Sequence, residues 1–205
     1  MYSSYYEKFS DGSTVCIDED IPFSIPDSWQ WVKLNSLVVK EIKRGKAPKY
    51  SEDATDTLVF AQKCNLKAGG IDTVLAKYLD ETTLSKYPET EFFSKGDIVI
   101  NSTGTGTLGR VGIIEEIFKA IVPDTHITVI RTSSNICSQY IYCVLKESQS
   151  ILEDSGEGST NQKELRPNTL INFLVPLPPL NEQMRIASLV TETNNTLLHI
   201  VERLS

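Results

Sequence analysis

Apolar positions in this 205-residue chain come in short runs as far as residue 131, and at helical spacing afterwards. TLVFA (57–61), IDTVLA (71–76), GDIVIN (96–101), RVGII (110–114), KAIVP (119–123) and HITVIR (126–131) are bounded by polar or glycine-containing turns, and each predicts a strand. Asp80 can cap a short helix over ETTLSKY (81–87), which Pro88 ends. From Asn135 to Glu147 apolar pairs recur four apart (Ile136/Cys137, Tyr140/Ile141, Val144/Leu145), so this stretch predicts an amphipathic helix. NTLINFLVPL brings a last strand up to Leu177, where Pro178 and Pro179 stop any ladder. Asn181 follows as a candidate N-cap and Glu182 sits at the positive end of a helix running to the end of the chain.

That helix carries Ile186, Val190, Thr193, Leu197, Ile200 and Leu204 at alternating spacings of four and three, a coiled-coil seam. An amphipathic helix packed on its own domain is the competing reading. The flanking Ser188, Thr191, Glu192, Asn194, Asn195, Glu202 and Arg203 leave the stripe narrow and favour a partner helix, from a further part of the protein or a second chain. A helix of about 24 residues is roughly 36 Å long and marginal alone. The sum is an α+β fold: a flexible acidic leader over 1–20, one compact domain with a mixed, twisted sheet over 21–179, and a projecting helix over 180–205. Trp29 and Trp31, in the proline-punctuated stretch 21–34, read as packing residues at the core edge.

Composition narrows the function classes. No apolar run approaches the roughly 18 residues of a membrane span, and the polar N-terminus is no signal peptide. Cys16, Cys64, Cys137 and Cys143 form no C-x-x-C pair and only two histidines accompany them, which argues against zinc and for reduced thiols in a cytoplasm. A net charge of −7 argues against nucleic acid until its distribution is read. The acidity lies at the ends. Residues 33–131 are close to neutral, and Lys33–Lys49 sets Lys33, Lys40, Lys43, Arg44, Lys46 and Lys49 against Glu41 alone. Gly45 and Pro48 make that segment a loop, so Lys43, Arg44, Lys46 and Lys49 are candidate phosphate contacts, against the plainer reading of a solvated charge run.

Two more loops carry candidate chemistry. Gly104-Thr-Gly106-Thr-Leu-Gly109 has G-x-G-x-x-G spacing, yet a dinucleotide site needs a helix to begin there, and the next residues read as a strand. A kinase glycine loop does join two strands, but no V-A-I-K, H-R-D or D-F-G segment follows. What remains is a tip rich in amides and hydroxyls, with Asn101, Ser102, Thr103, Thr105, Thr107 and Arg110 able to meet a phosphate or base edge. In the polar loop GSTNQKEL, Thr160, Asn161, Gln162 and Lys163 are of types that pair with bases and phosphates, though ordinary polar loops hold them too. His126 and His199 lack nucleophile or carboxylate partner motifs and read as structural, so no catalytic set emerges.

Three motifs in order resemble one recognition half of a type I restriction–modification specificity subunit. They are Ile25-Pro26-x-x-Trp29-x-Trp31-x-x-Leu34, Gly96-Asp97-Ile98 followed by Gly106-Thr107-x-Gly109-Arg110, and Leu177-Pro178-Pro179-Leu180-x-Glu182-Gln183-x-Arg185-Ile186 with its helix. The resemblance implies a non-catalytic, sequence-specific double-stranded DNA-binding subunit that reads half of a bipartite site. It implies methyltransferase subunits using S-adenosylmethionine to methylate adenine, and a restriction subunit using ATP and magnesium. It implies no cofactor bound by this chain. Members of that family usually carry two recognition domains and two helices, and this chain has room for one of each. A second recognition half or a homodimer is therefore expected through the helix. The alternatives are an interaction module that binds the methyltransferase without reading DNA, and a nucleotide-binding enzyme using the Gly104–Gly109 loop.

Overall fold

The protein is described by a computed structural model covering residues 4–9, 11–159 and 163–204. Eleven short strands are seen among these residues: β1 Tyr6–Lys8, β2 Thr14–Cys16, β3 Gln30–Lys33, β4 Tyr50–Ser51, β5 Thr57–Phe60, β6 Lys77–Leu79, β7 Ile98–Asn101, β8 Val111–Ile113, β9 Ala120–Pro123, β10 Ile127–Ile130 and β11 Leu174–Leu177. Four helices accompany them: α1 Ser138–Glu147, α2 Gln149–Asp154, α3 Pro167–Ile171 and α4 Leu180–Leu204. The α+β class holds, with the strands divided into four small sheets. The largest has the order β4-β6-β5-β9 and is mixed, because β5 and β9 run parallel and the other pairs antiparallel. A second, β10-β7-β8, is wholly antiparallel.

Burial explains the strand sequences. Every residue of β7 and β10 is buried, so they read as continuous β-branched runs and not as alternating ones. One core, built on Ile98, Ile100, Ile130, Ile141 and Leu145, lies between this sheet and α1. A second, with Phe60, Val99, Ile121 and Val129, fills the space between the two larger sheets, where Phe60 and Phe93 meet edge to face.

Several expectations need correction. IDTVLA (71–76) is no strand: its centre is a 3-10 turn, Thr73–Leu75, because Asp72 accepts from the Val74 amide and closes the chain into a cap. The same device at Asp80, accepting from Thr82, opens the helix expected over 81–87, which forms as a 3-10 helix, Glu81–Lys86. Asn181 is not the cap of α4. The helix begins one residue earlier, with the Glu182 and Gln183 amides both donating to the Pro179 carbonyl. The leader, for which no element was expected, holds the β1–β2 hairpin, and Glu7 ties it to Lys33 at 2.6 Å.

The proline corner joins the first and last of the three sequence motifs. β11 pairs antiparallel with β3, placing Pro176 opposite Trp31. Trp29 Nε1 donates to Glu182 at 3.1 Å, and the fully buried Gln183 bridges the corner to the start of α1. Tyr140 of α1 completes it by donating its hydroxyl to the Pro176 carbonyl. Burial pushes that phenol well above its ordinary value. The unfolded chain thus releases the proton at lower pH than the folded one, and the contribution is lost as pH rises above about 10. Tyr140→Phe is expected to weaken the protein by about 1 kcal/mol at neutral pH and to flatten its alkaline loss of stability. Denaturant melts at pH 7 and pH 10.5 check both.

Candidate nucleic-acid interface

The glycine loop leaves β7 and returns as β8, so a strand, not a helix, follows it. Gly104, Gly106 and Gly109 all have positive φ (+99°, +75° and +72°). At Gly109 a Cβ would also stand 2.8 Å from the Glu153 backbone nitrogen of α2. Conformation and close packing account for these glycines. The base of the loop is a buried polar network. Ser102 is fully buried, with its hydroxyl 2.6 Å from that of Thr128. Thr103, also buried, meets His126 Nδ1 at 2.7 Å and Gln62 Nε2 at 2.8 Å. Asn65 donates to Asn101 and to the Arg110 carbonyl.

Three candidates change meaning here. Ser102 and Thr103 lie beneath the surface and are consumed inside the fold, so neither is available as a contact group. Arg110 is a strap, with Nη1 donating to the Asn65 carbonyl at 2.7 Å and Nη2 to the Gly106 carbonyl at 3.0 Å. Thr105 remains exposed at the tip.

The basic segment is also not the free display that its composition suggested. Lys33 pairs with Glu7, Lys40 with Glu91, Lys43 with Glu41 and Glu91, Arg44 with Glu164, and Lys49 with Asp80. Lys46 donates to the Lys86 carbonyl and lies over the Tyr87 ring. A run of like charge can fold this compactly because the chain brings acids to it from sequence-distant elements. Glu91 is itself buried, and desolvation pushes the neighbouring Lys40 ammonium below its ordinary value. Lys46 and Lys49 lie beside the 3-10 helix over 81–86, whereas Arg44 forms a bridge with Thr128 of β10. Gly45 permits this: a Cβ there would fall 2.3 Å from the Pro123 carbonyl oxygen.

The polar loop reaches the same sheet end. Thr160, Asn161 and Gln162 lie outside the described residues. Lys163 is exposed, Glu164 bridges to Thr103 and accepts from Arg44 at 3.0 Å, and the Leu165 amide donates to the Ser102 carbonyl. Arg44 of the basic segment, the glycine-loop base and the polar loop therefore converge at one end of the β10-β7-β8 sheet. His126, Gln62 and Glu164 belong to this cluster and were not singled out as contacts. No local signal marks them, since their proximity depends on strand pairing. Among the described residues no group of histidine, cysteine and carboxylate side chains is placed to hold a metal ion, and no helix is long and apolar enough to cross a membrane.

The seam of α4 divides in two. Ile186 packs against the main core beside the buried Gln183 and Ala187. From Val190 on, the seam leaves the domain: Leu197 is 53% and Ile200 48% exposed, and Thr193 is exposed with its hydroxyl donating to the Leu189 carbonyl. The Leu204 side chain lies outside what is described.

Comparison with known proteins agrees with this arrangement. The family model described as "Type I restriction modification DNA specificity domain" matches residues 26–204. The type I restriction enzyme MjaVIII specificity subunit of Methanocaldococcus jannaschii is 31% identical over 84% of this chain. This chain covers 41% of that relative's length. Among solved structures, the HsdS subunit from Thermoanaerobacter tengcongensis superimposes with a TM-score of 0.66 at 17% identity, over 90% of this chain and 42% of its own. The type I restriction–modification S subunit from M. genitalium gives 0.56 at 16% identity, over 88% and 43%. These structures share the fold, and the family-model match runs from Pro26 of the tryptophan segment through the glycine loop to the proline corner and α4. The chain belongs to the type I restriction–modification DNA specificity domain family.

Proposed function

We propose that this chain reads one half of a split double-stranded DNA site without catalysing a reaction. It directs adenine methylation by methyltransferase subunits and ATP-dependent cleavage by a restriction subunit, in the cytoplasm. In this reading S-adenosylmethionine, ATP and magnesium are held by those partners. The observation that carries it is the convergence of Arg44, the glycine-loop base at Ser102 and Thr103, and the Glu164–Leu165 end of the polar loop at one sheet end, in a chain of this family. The exposed half of α4 pairs with a second helix and sets the distance between two half-sites. If that helix comes from a second copy, two-fold symmetry makes the site a mirrored one.

The deciding experiment is selection from a random duplex pool by this chain assembled with a type I methyltransferase subunit. A recovered motif, single or mirrored across a fixed gap, supports DNA reading, and mirroring supports the helix-paired dimer. A stable protein complex that selects nothing rejects it.

The ion pairing of the basic segment favours a second reading, an interaction module that binds the methyltransferase without sequence preference. Exposed pairs are weak, about 0–1 kcal/mol, so phosphate can displace Glu164 from Arg44. On the DNA-reading proposal, Arg44→Ala with Lys163→Ala lowers affinity and reduces the slope of log K against log salt by about two. On the interaction-module reading, any weak DNA affinity and its salt slope stay unchanged.

A further inference from the structure

His126 is an exposed residue whose ring is held by the buried polar network at the loop base. It sits between β9 and β10, where its amide donates to Asp124 Oδ1 at 2.8 Å and its carbonyl accepts from the Ser102 amide at 2.8 Å. Its ring is fixed by the 2.7 Å contact of Nδ1 with Thr103 Oγ1. Gln62 sets the direction of that bond. The Gln62 amide faces both the Thr103 hydroxyl and the Thr103 carbonyl. A carbonyl only accepts, so the amide nitrogen must lie there, and it donates to both oxygens. The Thr103 hydroxyl has one proton and, among the described residues, forms only these two hydrogen bonds; since it accepts from Gln62, its buried proton finds an acceptor only at His126 Nδ1. With Nδ1 an acceptor, the neutral ring carries its proton on Nε2. Among the described residues no hydrogen bond to Nε2 is formed.

We propose that His126 is a specificity-determining residue whose Nε2–H is presented to a hydrogen-bond acceptor on a base edge in the major groove. This rests on the DNA-reading proposal above. A single directed donor suits guanine O6 or N7, adenine N7 or thymine O4. The surroundings disfavour phosphate as the acceptor. The Asp124 carboxylate accepts from the His126 amide at 2.8 Å, so a second anion there would meet like charge. Thr103 and Gln62 act as positioning residues, being buried or half-buried and spent on each other and on the ring.

The two amide replacements separate the halves of the imidazole. In His126→Asn the side-chain carbonyl can still accept from Thr103, but no donor reaches the Nε2 position. In His126→Gln the amide nitrogen can occupy the Nε2 position, at the expense of the Thr103 contact. Each full-length variant, assembled with the methyltransferase subunit, is put through the duplex selection beside the unmodified chain. The expected result is a loss of preference of about tenfold at one base pair for His126→Asn, with the thermal midpoint unchanged and the preference partly kept by His126→Gln. An unaltered motif in His126→Asn overturns the inference. So does an even loss of affinity with the motif intact, which assigns the contact to phosphate. If the unmodified chain selects no motif, the DNA-reading proposal itself fails, and that outcome is visible before either variant is compared.

Discussion

Asp97→Ala is expected to lower the unfolding free energy by about 3–5 kcal/mol, and so the thermal midpoint by about 10 °C. Asp97 is 1% exposed and receives Arg131 in a two-pronged pair, Nε to Oδ1 at 2.8 Å and Nη2 to Oδ2 at 2.7 Å. It also accepts from the Ser94 amide at 2.8 Å, closing the turn that starts β7. The pairing holds the Arg131 guanidinium above its ordinary value. Removing the carboxylate leaves that cation without its main partner, next to the already desolvated Lys40, and leaves the Ser94 amide unpaired. Asp97→Asn should fall between the two, because it keeps the shape and one acceptor but loses the charge. The double variant Asp97→Ala, Arg131→Met should recover part of the loss, since no charge is then stranded. Guanidinium melts of the four proteins check this. Equal stability of Asp97→Ala and the unmodified chain would remove the Asp of the G-D-I motif from the load-carrying part of the fold.

Gln183→Leu is expected to cost about 2–4 kcal/mol and to loosen the base of α4. The Gln183 amide nitrogen donates to the Pro178 carbonyl at 2.8 Å while its oxygen accepts from the Cys137 amide at 3.0 Å. Only a neutral amide satisfies both, which gives the Gln of the E-Q pair a physical reason. Leucine fills similar space but strands a donor at the start of α1 and an acceptor at the corner. Glutamate keeps the acceptor for Cys137 and sets a carboxylate oxygen against the Pro178 carbonyl, so it should also be destabilising. Because α1 and α4 pack through this point, the variant should be cleaved within α4 by low protease concentrations that leave the unmodified chain intact. Unchanged melts and unchanged cleavage would show that the corner is held without Gln183, by the β11–β3 pairing and the Trp29–Glu182 and Tyr140–Pro176 contacts.

Much of the element order was legible in the sequence. β5, β7, β8, β9 and β10 fall within the short apolar runs, α1 within the paired apolar stretch, and β11 with α4 on either side of the double proline. Runs such as IVIN and ITVI bury every side chain, so their hydrophobicity marks them without any need for alternation. IDTVLA misled because its apolar content resembles a strand, while Asp72, one residue before the turn, can close a cap only if the chain bends. The leader hairpin escaped because both strands are largely exposed and carry no hydrophobic period.

The site was legible in parts and misread in its electrostatics. Hydroxyl, glycine and lysine types in three loops marked the candidates, but exposure is not written in a residue type. Ser102 and Thr103 look like Thr105 in one dimension and differ only because β10 and Glu164 cover them. The six cations of 33–49 look unopposed because Glu7, Asp80, Glu91 and Glu164 are far away along the chain. His126 reads as an ordinary strand residue until the register of β7 against β10 brings it to Thr103.

The sequence by itself therefore determined most of the core elements, their order and the family, because hydrophobic period, turn chemistry and three spaced motifs are local properties. Only the tertiary structure decided which polar groups are free and which are spent. Hydrogen bonds and ion pairs here join residues as much as 153 positions apart, as between Trp29 and Glu182, and the availability of a donor or charge is set by its neighbours in space.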